Sequence, residues 1–339
     1  NAQQIETLKE ISKSSAKPSL AKQISEIEIE KVTRISTQNS ELDLVLGGGV
    51  VEGSLVLIGG SPGIGKSTLL LKIASNFAAQ GKKTLYVSGE ESASQIKMRA
   101  QRLDAVKDGL FLLTEILLEN ILAEVRKNEY KILVIDSIQT LYSEKISSAP
   151  GSVSQVREIT FELMRLAKNE NICVFIIGHI TKDGSIAGPR ILEHMVDVVL
   201  YFEGDSSREL RMLRGFKNRF GSTSEVGIFE MSENGLISAN DVAGKFFTRG
   251  KAASGSAITI TMEGSRALSV EIQALVCESA YPKRSSTGFD KNRLDMLLAL
   301  LERKLEIPLG HYDVFINVSG GVKISETAAD LAVIAAIIS

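Results

Sequence analysis

Short apolar runs alternate along residues 55–202 with stretches in which apolar residues recur every three or four positions. The runs predict buried strands, at 55–58, 84–88, 110–113, 131–135, 173–178 and 196–202. The recurring pattern predicts helices between them, at 69–77, 92–103, 117–127 and 154–168. Strands that alternate with helices indicate an α/β domain built on a mainly parallel central sheet.

A glycine-rich loop follows the first of these strands. It reads Gly60-Ser61-Pro62-Gly63-Ile64-Gly65-Lys66-Ser67, and Thr68 continues into the next helix. This is the complete G-x-x-x-x-G-K-[ST] pattern in its strand–loop–helix context: backbone N–H groups surround phosphate, Lys66 reaches the outer phosphates and the Ser67 hydroxyl ligates Mg²⁺. The loop therefore predicts a site for ATP or ADP with Mg²⁺, and its context disfavours a glycine turn that binds nothing.

Carboxylates follow two of the predicted strands. Glu90 and Glu91 come after the strand at 84–88, and Asp136 ends the strand at 131–135. Ligands of open α/β sheets bind at this edge, so Asp136 is predicted to hold the Mg²⁺ shell opposite Ser67, as a Walker B acid. Glu90 or Glu91 is predicted to position the attacking water; the alternative is that this acidic pair only begins the next helix.

Two segments rich in small and polar residues predict mobile loops near the same edge, at 143–154 and 181–190. The strand at 173–178 brings His179 to that edge, either to sense the terminal phosphate or as a capped structural residue. A hairpin is predicted over 225–237, after Lys217-Asn218-Arg219-Phe220-Gly221. Lys217 and Arg219 either lie on a solvent-exposed face or stabilise the phosphates bound to a neighbouring subunit.

The pattern divides the chain into four parts. Residues 1–25 read as a linker or the remnant of an upstream module, 26–240 as the ATPase domain, 241–256 as a linker and 257–339 as a second, smaller α/β domain. The second domain has predicted strands at 258–263, 267–276 and 314–318 and helices at 290–304 and 327–338. It carries no phosphate loop and no nucleophile–base pair, which favours a scaffold or interaction role.

Composition narrows the class of protein further. The 339 residues carry a formal net charge of −2, so contact with nucleic acid requires a local basic patch. The two cysteines, Cys173 and Cys277, each lie in an apolar run; they predict core thiols in a reducing compartment and no zinc site in this chain. With no secretory signal and no apolar stretch that could span a bilayer, a cytoplasmic protein is expected.

The loop at 60–68 and the Lys217–Gly221 pentapeptide together resemble the bacterial RadA (Sms) family of DNA-repair ATPases, relatives of RecA recombinase and of hexameric helicases. The likeness extends through 136–140 and 147–157 and covers nearly all of 26–339. It implies a RecA-like fold and a homo-oligomeric ring, hexameric by that resemblance. It also implies that ATP is bound between subunits, with Lys217 and Arg219 acting on the neighbour's nucleotide. It further implies that single-stranded DNA passes the two loops, where Lys145, Lys182 and Arg190 are either DNA-backbone contacts or plain surface residues.

Residues 257–339 resemble the proteolytic domain of Lon, which has the ribosomal S5 domain 2-like fold. Where Lon carries its nucleophilic serine this chain reads Glu326-Thr327-Ala328-Ala329-Asp330, so peptide hydrolysis is not expected. Bracing the ring or adding a DNA surface is the implied role. The family's four-cysteine zinc motif is absent, and the chain stops at Ser339, so it reads as truncated at both ends.

The sequence therefore predicts a DNA-dependent ATPase that moves along single-stranded DNA and extends branched DNA in recombinational repair, with RecA recombinase as a partner. Two alternatives remain open: a filament or loader in which ATP only switches DNA affinity, and a ring ATPase with a protein substrate. A GTPase is disfavoured because no N-K-x-D motif follows the phosphate loop; the segment at 181–184 reads Thr-Lys-Asp-Gly.

Overall fold

The chain divides into a short unit, Asn1–Thr33, and a large unit, Arg34–Ser339. The computed structural model describes residues 23, 25, 33–178, 191–203, 210–232, 235–238, 253–319 and 322–339. Within them, no helix is long and apolar enough to cross a membrane.

A nine-stranded sheet organises the first two thirds of the large unit. Its strands are β3 (Leu55–Gly59), β4 (Thr84–Ser88), β5 (Leu110–Thr114), β6 (Ile132–Asp136), β7 (Cys173–Ile177), β8 (Val198–Glu203), β9 (Leu210–Asn218), β10 (Val226–Ser232) and β11 (Gly235–Ser238). Their spatial order is β11-β10-β9-β8-β3-β7-β6-β4-β5. The six strands from β8 to β5 run parallel, and β9, β10 and β11 add antiparallel neighbours. The prediction of a mainly parallel α/β sheet is confirmed.

Helices cover both faces of this sheet because each presents one apolar stripe to it. The helices are α1 (Ser40–Leu46), α2 (Lys66–Ala79), α3 (Ala93–Arg102), α4 (Leu118–Asn128), α5 (Val153–Glu170) and the short α6 (Ile191–Met195). Leu42, Phe77 and Ile96 place α1, α2 and α3 in one apolar core. Ile121 and Ile159 place α4 and α5 in the core on the opposite face. Two strands of two residues, β1 (Arg34–Ile35) and β2 (Val50–Val51), pair beside α1.

A second sheet follows, in the order β12-β13-β15-β14. Its elements are β12 (Ser256–Glu263), β13 (Arg266–Glu278), β14 (Arg284–Thr287), α7 (Lys291–Lys304), β15 (Tyr312–Val318) and α8 (Asp330–Ile338). Leu294, Leu298 and Val333 of the two helices share a core with the sheet, and Val226 and Ile228 of β10 belong to the same core. The two sheets are therefore packed together through β10.

Ion pairs join the β12–β13 hairpin to α1 and to β9 of the first sheet. Arg266 donates to both oxygens of Glu41, at 2.8 and 2.9 Å, and the Glu41 side chain is only 4% exposed. The same carboxylate accepts from Ile228 N at 2.8 Å. Arg214 donates to Glu263 at 2.8 Å, and hydrogen bonding to Glu263 and the charge of Glu203 raise its pKa against the opposing effect of burial.

Two expectations need correction or extension. Cys173 is buried, and burial raises its pKa to about 12, but Cys277 is exposed, so the prediction of a core thiol there was wrong. Buried positions of β13 are even-numbered, such as Val270 and Ile272, and residue 277 has the opposite parity. The polar strand β14 gave no apolar signal in the sequence, so no strand is predicted there.

Candidate active site

The glycine-rich loop joins β3 to α2 and depends on its glycines. Gly65 precedes the helix with φ +114°, a conformation that L side chains rarely adopt. A Cβ at Gly65 would also lie 2.6 Å from Leu236 Cδ1, because the β10–β11 hairpin packs directly against the loop. The loop therefore depends on glycine for its conformation, as is typical of loops whose N–H groups surround phosphate.

Lys66 is buried inside this curl. Its Nζ donates to Gly60 O at 2.7 Å and to Ser61 O at 2.9 Å. Burial lowers the pKa of Lys66 to about 8, while the charges of Asp136 and Glu90 act in the opposite direction. A cation that burial disfavours gains most from an arriving anion, so the geometry favours phosphate binding at this loop.

Asp136, at the end of β6, lies across from the start of α2. Its Oδ2 accepts from the Tyr86 hydroxyl at 2.6 Å, and Ser67 also donates to its carboxylate. Burial raises the pKa of Asp136, and the two hydrogen bonds oppose that rise. The same burial, with the nearby Asp136 carboxylate, raises the pKa of Tyr86 well above its ordinary value, so its hydroxyl stays a donor.

The residues around Asp136 fit the Mg²⁺ that accompanies ATP. A serine hydroxyl and a carboxylate are the hard oxygen ligands that this ion takes, with phosphate oxygens completing its shell. The described residues contain no group of three or more His, Cys, Asp or Glu side chains that could hold a metal ion. When bound, Mg²⁺ supplies charge neutralisation between the outer phosphates.

The two candidate carboxylates after β4 have different surroundings. Glu90 Oε1 accepts from the Ser137 hydroxyl at 2.7 Å, beside Asp136, and its charge acts on Lys66. Glu91 instead forms an ion pair with Arg99 of α3. Of the two, Glu90 is therefore gathered with the phosphate loop, and Glu91 pairs with Arg99 in the second half of α3.

The two cations of the pentapeptide lie at the opposite end of the strands from the phosphate loop. Asn218 is opposite Val198 at the start of β8, and Val198 is beside Val56 of the parallel strand β3. The phosphate loop begins at Gly60, about 13 Å further along the strand direction. Within one chain, then, Lys217 and Arg219 are not brought together with Lys66.

Lys217 and Arg219 both contact α6 and the two residues that join it to β8. Lys217 Nζ donates to the carbonyls of Glu193, His194 and Val196 at 2.7, 3.1 and 2.7 Å, which uses all three of its N–H groups. Burial and the neighbouring Arg219 lower the pKa of Lys217. Arg219 is 52% exposed and donates to Asp197 Oδ1 at 3.1 Å.

The intervening residues of the pentapeptide face α1. Asn218 Nδ2 donates to Val45 O and Leu46 O at 3.4 Å, and its Oδ1 accepts from Phe220 N at 2.9 Å. Arg34 donates to Phe220 O at 2.5 Å and to Leu46 O at 3.0 Å. These bonds fix the pentapeptide to the C-terminal end of α1, which explains why an asparagine separates the two cations.

The loop after β6 is anchored rather than unattached. Buried Gln155 donates to the carbonyls of Ser143, Ile146 and Ser148 at 3.0 to 3.2 Å and accepts from Ser143 N at 3.0 Å. The prediction of a mobile loop missed this clamp. Ser152 and Gln155 have the spacing of a helix-capping pair, so the sequence pattern indicates a helix cap and gives no sign that Gln155 holds the preceding loop.

Lys145 is exposed on this loop and borders a cleft of about 540 Å³. Arg157 lines the same cleft, but so do Glu119, Glu158 and Glu162, so the described walls are not a basic groove. The other predicted DNA contacts, Lys182 and Arg190, lie outside the described residues, as does His179.

Sequence reasoning missed three side chains that contact predicted site residues: Tyr86, Ser137 and Asp197. Tyr86 is hidden among apolar strand residues, and Ser137 follows a more conspicuous acid. The pairing of Ser88 with Asp136 in adjacent parallel strands is the feature that brings Tyr86 near that acid. Strand pairing is not visible in one sequence, so only the fold could identify these contacts.

Comparison with known proteins places this site in a family. Residues 22–185 match a family model described as an AAA domain. The chain is 73% identical over 338 residues to the DNA repair protein RadA of Campylobacter jejuni, covering 100% of this chain and 76% of that protein. The chain belongs to the RadA family. RadA of Helicobacter pylori strain J99 is 67% identical over 93% of this chain and 71% of its own length. RadA of Bacillus subtilis is 51% identical over 93% of this chain and 70% of its own length.

The fold comparison agrees with the RadA assignment. A KaiC-like protein from Pyrococcus horikoshii superposes with a TM-score of 0.51 at 21% identity, covering 61% of this chain and 99% of that one. At that identity the likeness shows the fold alone. The family and the loop together indicate an ATPase that uses a nucleotide with Mg²⁺.

Proposed function

We propose that this chain is the motor of a ring-forming, DNA-dependent ATPase that acts on single-stranded and branched DNA in recombinational repair. Membership of the RadA family supports the repair role, and the phosphate-loop geometry supports ATP hydrolysis. The finer proposal is that hydrolysis drives movement along DNA within a ring of copies. It rests on the distance between the phosphate-loop residues and the cations of the pentapeptide within one chain.

Within one chain, the residues would handle the reaction as follows. Loop N–H groups and Lys66 bind the outer phosphates, and Ser67 and Asp136 hold the Mg²⁺ shell. Glu90, fixed by Ser137, orients the water that attacks the terminal phosphate and accepts its proton. Tyr86 holds the Asp136 carboxylate in place from the buried side.

The single observation that carries the ring proposal is the position of Arg219. It is half exposed at the sheet edge opposite the phosphate loop, so it cannot stabilise the phosphates bound to its own chain. Cations that neutralise the transition state are worth about 10³- to 10⁵-fold in rate in related phosphoryl transfer. A closed ring, proposed as a hexamer, lets each chain lend Arg219 to the next. Lys217, whose N–H groups are used within the chain, would hold the segment that Arg219 rests on.

The proposed substrates and partners follow from the family rather than from a described surface. Single-stranded and branched DNA would pass Lys145 and the loop at 180–190, and RecA recombinase is the proposed protein partner. Residues 257–339 would act as a Lon-like brace of the ring without peptide hydrolysis. The cytoplasm is the proposed location.

Turnover with and without DNA tests this function. ATP hydrolysis is measured with and without single-stranded DNA over a salt series, with Lys66→Ala as the blank. Stimulation that fades as salt rises is expected, because phosphate contacts release counterions. Unwinding of a forked duplex then separates a motor from an ATP-switched filament, which would leave the strands paired. Turnover indifferent to DNA at every salt concentration would favour a protein substrate instead.

A further inference from the structure

A buried carboxylate lies outside the phosphate-loop site and has no role in the chemistry described so far. Asp197, just before β8, is 3% exposed. Its Oδ2 accepts from Leu55 N at 3.1 Å and from Lys168 Nζ at 2.7 Å, and its Oδ1 accepts from Arg219 Nη1 at 3.1 Å. A buried carboxylate is costly unless it is paired and hydrogen-bonded, and all three contacts supply that requirement.

The three contacts on Asp197 are of different kinds. The Leu55 N–H is a fixed point at the start of β3, and Lys168 on α5 neutralises the same oxygen that this N–H contacts. Oδ1 is left for Arg219. The backbone of Arg219 is held as well, because Arg219 N donates to Asp197 O at 3.1 Å. Both the main chain and the guanidinium of Arg219 are therefore fixed to one residue.

This attachment leaves much of the guanidinium available. A guanidinium has five N–H donors in a planar fork, and Asp197 takes one of them. A second, from Nη2, reaches His194 O at a long 3.5 Å. The side chain borders a surface cleft of about 650 Å³ that Arg157 and His194 also line. Asp197 therefore holds one side of the Arg219 guanidinium, and the remaining N–H groups face the surface. A planar guanidinium placed in this way can make a bidentate contact with phosphate oxygens.

We propose that Asp197 is a positioning residue that holds Arg219 ready for the terminal phosphate of a nucleoside triphosphate bound by the neighbouring copy of this chain. The inference rests on the proposed function, in which Arg219 acts across the ring. When Arg219 turns toward that phosphate, Lys168 still neutralises Asp197. The arginine can therefore pair with the phosphate without leaving the buried Asp197 carboxylate unpaired.

Asp197→Asn tests the proposal with little change in shape, because an asparagine oxygen still accepts from Leu55 N. The loss of the charged acceptor is expected to lower ATP turnover by about 10²-fold, the cost of misplacing a catalytic group by about 1 Å. Affinity for a non-hydrolysable ATP analogue in the isolated chain should stay unchanged. Asp104→Asn, which removes an exposed pair with Lys107, is the matched control and should keep full turnover.

Mixing subunits separates positioning from damage to the fold. Asp197→Asn subunits have an intact phosphate loop, and Lys66→Ala subunits have an intact Arg219. If Asp197 acts through Arg219 on the neighbour, mixtures of these two inactive proteins regain turnover; damage to the Asp197→Asn chain's own ATP site gives no recovery. Recovery therefore supports the proposal, and its absence, or full turnover by Asp197→Asn alone, overturns it.

Mixing Arg219→Gln with Lys66→Ala subunits distinguishes the positioning role of Asp197 from the action of Arg219 across subunits. Recovery with Arg219→Gln but none with Asp197→Asn would overturn the positioning role and leave the ring function standing. No recovery with Arg219→Gln would overturn the action of Arg219 across subunits, and the inference on Asp197 with it. Light scattering on each mixture shows that the copies have assembled.

Discussion

Replacing Glu90 by glutamine is expected to slow ATP hydrolysis by about 10²- to 10⁴-fold, whereas the same replacement at Glu91 should leave hydrolysis within a few-fold of the unchanged protein. The two residues are adjacent in sequence and chemically identical, so each is the matched control of the other. Their difference lies in what surrounds them. Ser137 orients Glu90 beside Asp136, and Arg99 pairs with Glu91.

The magnitudes follow from these contacts. A carboxylate that accepts a proton in the transition state contributes about 10²- to 10⁴-fold, or about 2.7 to 5.4 kcal/mol of barrier, and glutamine cannot accept that proton. Glu91→Gln removes the charge from a partly exposed ion pair, whose side chains are 34% and 17% exposed. Such a pair is worth about 1 kcal/mol of stability at most, with no effect on the chemical step.

Single-turnover hydrolysis is the decisive assay, together with the affinity for a fluorescent ATP analogue and the free energy of unfolding in urea. Glu90→Gln should bind the analogue normally, unfold normally and hydrolyse slowly. Glu91→Gln should lose stability and little else. A Glu91→Gln protein that binds and folds normally but does not hydrolyse ATP would refute the assignment of the water-positioning role to Glu90.

Three further outcomes are expected. Because burial lowers the pKa of Lys66 to about 8 and bound phosphates restore its charge, ATP binding should take up about one proton near pH 9 and almost none near pH 7, measured by calorimetry in buffers of different ionisation enthalpy. Burial raises the pKa of Asp136, and the hydrogen bond from Tyr86 opposes that rise, so Tyr86→Phe should move the acid limb of the pH–turnover profile to higher pH. The same variant should need more Mg²⁺ for full turnover. Losing a hydrogen bond to a charged group should also lower the free energy of unfolding in urea by about 1.5 to 3 kcal/mol. Arg266→Met leaves the Glu41 carboxylate buried without its cation, which should cost about 2 to 4 kcal/mol of unfolding free energy with little change in ATP affinity.

Controls for these outcomes lie in the same chain. Lys66→Met should abolish the proton uptake, and an uptake that persists would assign it to another group. Tyr130→Phe removes a hydroxyl that contacts Glu124, away from Asp136, and should leave the pH profile unmoved. Arg165→Met breaks an exposed pair with Glu162, so a loss of stability equal to that of Arg266→Met would contradict the special weight given to the Glu41 pair.

Local patterns in the sequence were sufficient to predict which residues gather around the phosphate loop. The order strand, glycine loop, helix and the acids after two strands are features of neighbouring residues, and their chemistry depends on that local order. Lys66, Ser67 and Asp136 were predicted on this basis, and the structure gathers them at one edge of the sheet. Apolar periodicity likewise located the helices, because burial of one face requires it.

Contacts between distant segments were decided only by the tertiary structure. Glu90 and Glu91 look equivalent in sequence until Ser137 and Arg99 are brought to them from other elements. Lys217 and Arg219 read as one pair of cations, yet antiparallel pairing of β8 and β9 sets them about 13 Å or more from their own phosphate loop. Asp197 carried no sequence signal at all, since its role comes from Leu55, Lys168 and Arg219, which only folding assembles around it. A single sequence encodes local order directly, but it encodes strand pairing only through the packing of the whole chain.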